Sequence, residues 1–126
     1  MDWEPISEVS LWDLINAAEM RMDIPQARLW EALRIQPAKW AEPSFGSVGG
    51  GFWAVAVIGN MVVWYNDIEA GFNRSRYTSY GKIDEYLCNQ DELEMTLQQI
   101  LNMLDTGRDL AVRVGAPKAG AYVPEV

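Results

Sequence analysis

The sequence predicts an α+β domain. Three observations predict it. Apolar residues recur at helical spacing over 11–22 and again over 93–104. Two runs rich in Val, Ala and Trp, Phe52 to Ile58 and Met61 to Tyr65, lie between those stretches and are joined by Gly59-Asn60. Like elements are grouped rather than alternating, which favours α+β over α/β. The expected order is two N-terminal helices, a small antiparallel sheet of about three strands, one C-terminal helix and a tail.

Ser10 is expected to cap the first helix, with Asp13 three residues on. Leu11, Leu14, Ile15, Ala18 and Met22 then form one apolar stripe. Asp23-Ile24-Pro25 ends that helix and starts another. Asp23 and Gln26 have capping-box spacing, and Pro25 suits a first turn. The second helix, about 25–34, carries Leu29, Trp30 and Leu33 on one side and stops at Pro37. Residues 36–51, rich in Pro and Gly, read as a loop.

Strict alternation in the hairpin, with Val57 opposite Val62 and Val55 opposite Trp64, puts Trp53, Val55, Val57, Val62 and Trp64 on one face. Ala54, Ala56, Ile58, Met61, Val63 and Tyr65 fall on the other. Both faces are apolar, so both need cover. The C-terminal helix is expected to cover one, and the N-terminal helices or the segment with Trp3 the other. A second copy bound through the sheet is the alternative cover. Asn66 to Gly71 leads into a polar third strand near 72–80, expected at an edge with a wet face. Asn89 is expected to cap the last helix, with Leu93, Leu97, Ile100, Leu101 and Leu104 as its stripe and Gly107 as its terminator. Leu110 to Val114 reads as a short strand, and about 115–126 as the tail.

At 126 residues the chain fits one domain. Its net charge is −8. An acidic chain repels phosphate-rich nucleic acid and anionic lipid, so neither is an expected partner. A basic protein is. Residues 1–45 carry eight acids and four bases, and residues 89–126 six acids and three bases, so the negative field comes from the two flanks. No apolar run approaches the ~20 residues that span a bilayer. The acidic start lacks the character of a signal peptide, and a lone cysteine fits a reducing compartment, so cytoplasm is expected.

Histidine is absent, which rules out Ser–His–Asp and Cys–His catalysis and Cys2His2 zinc sites within this chain. The run Gly46 to Gly51 precedes a strand rather than opening a helix, and lacks Gly-Lys-Ser/Thr, so it reads as a loop and not as a phosphate cradle. Cys88 is followed by three acids that oppose a thiolate, and is expected to be a small buried residue. The first two helices, with a net charge of −4 over residues 1–45, do not suit a DNA-reading pair. Asp67, Glu69, Asp84 and Glu85 flank the third strand, and would serve acid–base work only if two of them converged.

The densest patch of hot-spot residue types runs from Trp64 to Tyr77. Its candidate binding residues are Trp64, Tyr65, Asp67, Glu69, Arg74, Arg76 and Tyr77. No catalytic residue, metal ligand or cofactor is expected. The function expected is that of a non-catalytic module binding another protein. Small acidic inhibitors, such as immunity proteins that neutralise basic toxins, are the analogy of charge and size. The alternative is a small enzyme or ligand-binding domain using carboxylates and tyrosines near the sheet.

Overall fold

The computed structural model describes residues 4–116. It is α+β, in the order α1 (Glu8–Arg21), α2 (Ile24–Leu33), β1 (Arg34–Trp40), a 3-10 turn (Ser47–Gly49), β2 (Phe52–Ile58), β3 (Met61–Asn66), β4 (Gly71–Arg76) and α3 (Leu93–Thr106). The four strands form one antiparallel meander, β1-β2-β3-β4. The sheet therefore has one strand more than the sequence predicts. The extra strand, β1, starts directly at the end of α2 and contains Pro37. Its burial does not alternate cleanly, and its register with β2 slips between Arg34 and Ala38. Proline is tolerated there because β1 is an edge strand with an irregular ladder.

The helix caps are set by local chemistry. Ser7, not Ser10, caps α1, and its Oγ accepts from the Ser10 amide at 3.1 Å. Asp23 and Gln26 form the expected reciprocal capping box. α3 begins at Leu93 with Glu92 in the cap position, so Asn89 lies outside the helix. Gly107 ends α3 in the left-handed conformation, as expected.

All three helices pack on one face of the sheet. Leu11, Ile15 and Ala18 from α1, Trp30 from α2, and Leu93, Leu97 and Ile100 from α3 bury Val55, Ala56, Val63, Tyr65 and Phe72. Leu101 is half-buried and Leu104 exposed, so the α3 stripe outruns the sheet. Leu97 is wholly buried. Leu97→Ala is expected to cost about 2–5 kcal/mol, the usual cost of a core cavity. Equilibrium urea unfolding checks it, and an unchanged midpoint would place the stripe in water.

The opposite face carries Trp40, Phe52, Ala54, Val62 and Trp64. No helix covers it. Ile83 and Leu87, from the irregular connection between β4 and α3, lie over it together with Tyr77 and Tyr86. Ala41 ties that connection to β1, donating to Gly81 O and accepting from the Ile83 amide, both at 2.8 Å. Both hairpin faces are thus covered from within the chain, which removes the uncovered-face argument for self-association through the sheet. Trp3 lies outside the described residues.

The faces differ from strict alternation because β2 carries a bulge. Ala54 pairs with Trp64 and Ala56 with Val63, leaving Val55 as the extra residue. Val57 does face Val62, but Trp53 and Val55 join the helix side. The 110–114 segment is not a strand. It is irregular chain with a bend at Ala111, and one isolated bridge follows it, Leu87 to Gly115.

Candidate functional site

β4 lies at the sheet edge, as expected, but it is not wet. Five of its six residues are buried. Its polar side chains are buried because each has partners, which removes the desolvation penalty of an unmet polar group. Ser75 Oγ accepts from Trp64 Nε1 at 2.9 Å and donates to Glu85 O at 2.7 Å. Asn73 spans the Asn89 backbone, donating to its carbonyl at 3.0 Å and accepting from its amide at 2.8 Å. The Arg74 side chain, 3% exposed, forks onto both carboxylate oxygens of Asp109 at 2.9 and 3.2 Å. Its Nε donates to Gln99 at 2.8 Å.

The outer backbone edge of β4 is occupied too. The Phe72 amide donates to Asp91 O, the Arg76 amide to Glu85 Oε1, and Arg113 reaches Arg74 O. Arg76 itself is exposed, with Glu85 at 3.5 Å. Tyr77 donates to Gly59 O at 2.6 Å and meets Trp40 edge-on. Trp64 and Tyr65 belong to the two cores, on opposite faces.

Asp67 and Glu69 sit in the β3–β4 connection, which Asn66 organises by accepting from the Ile68 and Glu69 amides. Asp67 Oδ2 accepts from the Ile6 amide at 2.7 Å, while Trp53 Nε1 donates to Ile6 O. The pair clasps the N-terminal segment to the sheet. Burial pushes the Asp67 carboxyl above its ordinary value, against the Ile6 hydrogen bond and the charge of Lys39. Of the seven sequence-designated residues, only Arg76 is fully at the surface.

Glu85 stands between Arg76 and Arg113, and Asp84 bonds Thr78. Cys88 is half-buried and lies in the connection, four residues before Glu92, with burial raising its thiol. Burial likewise pushes Tyr86 up to about 12. Among the described residues, no three of Cys, Asp and Glu stand close enough to hold a metal ion.

Sequence reasoning missed two features. The first is the role of Asn73 and Asn89. The Asn89 amide repeats what Asn73 does to it: it donates to Val112 O at 2.8 Å and accepts from the Val114 amide at 2.7 Å. A side-chain amide thereby stands in for a strand, and residues 109–115 lie along the margin of β4. The second is a helix junction. Arg21 of α1 bonds Glu94 and reaches Glu92 at the start of α3. Asp23 caps α2 beside it. Met20, Ile24 and Met95, neighbours in sequence of these residues, are 87%, 69% and 51% exposed. One base, Arg21, against three acids, Asp23, Glu92 and Glu94, leaves the junction net negative.

Among the described residues, most bases have internal partners. Arg21, Arg34, Arg74, Arg76 and Arg113 are all in ion pairs, and Lys39 caps the Gly49 and Gly51 carbonyls over the Trp53 ring. Acid should test these pairs. Burial pulls Glu85 and Glu94 up, but the Arg76 amide and the Arg113 side chain at Glu85, and the Arg21 side chain at Glu94, hold both below their ordinary values, and the Arg74 side chain holds Asp109 below its own. Depressed carboxylates stabilise the fold above their unfolded values, and that contribution is lost as pH falls through the folded ones. Asp67, shifted upward, acts in the opposite sense. Net repulsion also relaxes toward the pI near 4.4. Urea midpoints are therefore expected to hold down to about pH 4.5 and fall below about pH 4, the ordinary carboxylate range. Asp109→Asn should flatten that fall, and an equal slope in wild type and variant would exclude the Arg74 pair as its source.

No family model matches the chain, and no curated protein or solved structure matches it significantly. Among the described residues, no helix is long and apolar enough to cross a membrane.

Proposed function

We propose that the chain is a non-catalytic module that binds a basic protein partner, and that the helix junction is its contact surface. The carrying observation is the helix junction where Arg21 alone meets Glu92 and Glu94, with Asp23 two residues on and with exposed Met20, Ile24 and Met95 next to these residues in sequence. Apolar tips beside a net-negative cluster fit a partner surface with the reverse pattern, apolar pockets among lysines and arginines. Charge would speed and orient the encounter, and the methionines and isoleucine would supply desolvated area. The net charge of −8 supports the same reading, because ion pairs consume acids and bases alike and leave that acidic excess to the outward field.

The test compares wild type with Met20→Lys/Ile24→Lys as bait in native lysate. Both positions are exposed, so both baits should melt alike. Wild type should capture a basic protein that elutes as salt rises, and the double variant should not. Capture of acidic proteins only, or equal capture by both baits, would overturn the proposal.

A further inference from the structure

The margin of β4 holds residues 109–115 in an unusual way. Its contacts are to backbone, to the Asp109 carboxylate and to the Arg113 side chain, which bonds Glu85 at 2.8 Å and reaches Arg74 O. Asn89 takes Val112 O and the Val114 amide, the Cys88 amide donates to Val114 O at 2.6 Å, and Leu87 bridges Gly115. Arg74 takes Asp109. The apolar side chains of the segment contribute little burial: Leu110, Val112 and Val114 are 73%, 76% and 45% exposed. A groove of about 430 Å³ runs beside it, lined by Asn89, Gln90, Asp91 and Gln99 among others.

Backbone contacts are indifferent to sequence, so any segment with free backbone can make them. Arg74 is not indifferent. Its planar fork, buried to 3% exposure, demands a carboxylate there. The margin therefore selects a chain with an acid at one position, free backbone three and five positions later, and a base four positions later to meet Glu85. Leu110, Val112 and Val114 remain largely exposed, Val112 and Val114 in the lining of the groove.

We propose that this margin is a docking groove for a carboxylate-bearing segment of a partner protein, and that residues 108–116 fill it as a displaceable plug. Gly107, left-handed at φ 74°, is the hinge at which the plug turns back from α3. The tethered plug competes at high effective concentration, so a free segment binds well only where the plug is weakened. The residues involved are distinct from those of the helix junction, and the inference does not depend on that reading.

The probe is a fluorescent peptide spanning residues 108–116, titrated into the full chain carrying Asp109→Ala and followed by anisotropy. Binding should saturate, and be at least about tenfold tighter than to wild type, whose own plug competes. It should drop by at least about tenfold when the peptide aspartate becomes alanine, since the charge-assisted fork is lost. Adding Asn89→Ala to the protein should weaken it as well. No saturable binding to a cooperatively folding Asp109→Ala chain would overturn the proposal, as would binding blind to the aspartate. Should that variant fail to fold, amide exchange of wild type decides. Val114, held by Asn89, should exchange through local opening well before Val63 of β3. Protection of Val114 equal to that of Val63 would make the segment a fixed part of the fold and overturn the plug.

Discussion

Trp64→Ala is expected to cost about 3–5 kcal/mol, the range for deleting a buried large aromatic. Trp64 is fully buried and lies on the helix-free face, with the Phe52 ring centroid at 4.8 Å and Tyr86 at 6.0 Å. Its indole donates to Ser75, so truncation removes both the filler of that face and a partner of β4. The irregular connection above it, carrying Ile83 and Leu87, has few ways to collapse into the space. Trp64→Phe keeps a ring and loses the donor, and should cost less, about 1–3 kcal/mol for the unmet Ser75 acceptor and the lost contact. Urea unfolding of the two variants checks both values. Equal effects would show that the hydrogen bond, not the packed volume, holds this face. Loss of partner capture by Trp64→Ala would accordingly report on folding before binding.

Elements whose local signals agree with their packing were legible in the sequence. The Leu93, Leu97, Ile100 stripe is buried, the Asp23–Gln26 box forms, and Gly59-Asn60 turns the hairpin. What was not legible depended on distant partners. Arg34–Trp40 has a proline, two cations and no alternation, and becomes a strand because β2 pairs with it. Asn73, Arg74 and Ser75 look like a wet strand, because sequence cannot show that Asn89, Asp109 and Glu85 will meet them. The bulge at Val55 reverses the face of Trp53, and no residue type announces it. The candidate site suffered most. Trp, Tyr and Arg are hot-spot types and core types alike, and composition does not separate the two. Arg76 is the one designated residue left fully at the surface, while the Arg21 contact with Glu92 and Glu94 joins two flanks of the sequence that only the fold brings together.

Gly51→Ala is expected to be as damaging as a large core deletion, although Gly51 sits in a run that reads as loop. Two costs combine there. Its φ of 104° lies where side chains are rarely accommodated. A Cβ would also run into the Trp40 carbonyl, with the carbonyl carbon only 2.8 Å away. Trp40 pairs with Phe52 at the first step of the β1–β2 ladder and anchors the helix-free core, so the strand cannot yield without opening that core. Strain and overpacking together amount to about 2–6 kcal/mol. Gly50→Ala separates the two costs. Gly50 has a φ of 75° with nothing within 4 Å of the added carbon, so only the left-handed penalty remains, about 1–2 kcal/mol. Melting temperature and urea midpoint of the adjacent variants measure the difference. Gly51→Ala should fall well below Gly50→Ala in both, and variants of equal stability would show that β1 does not press on Gly51 in solution.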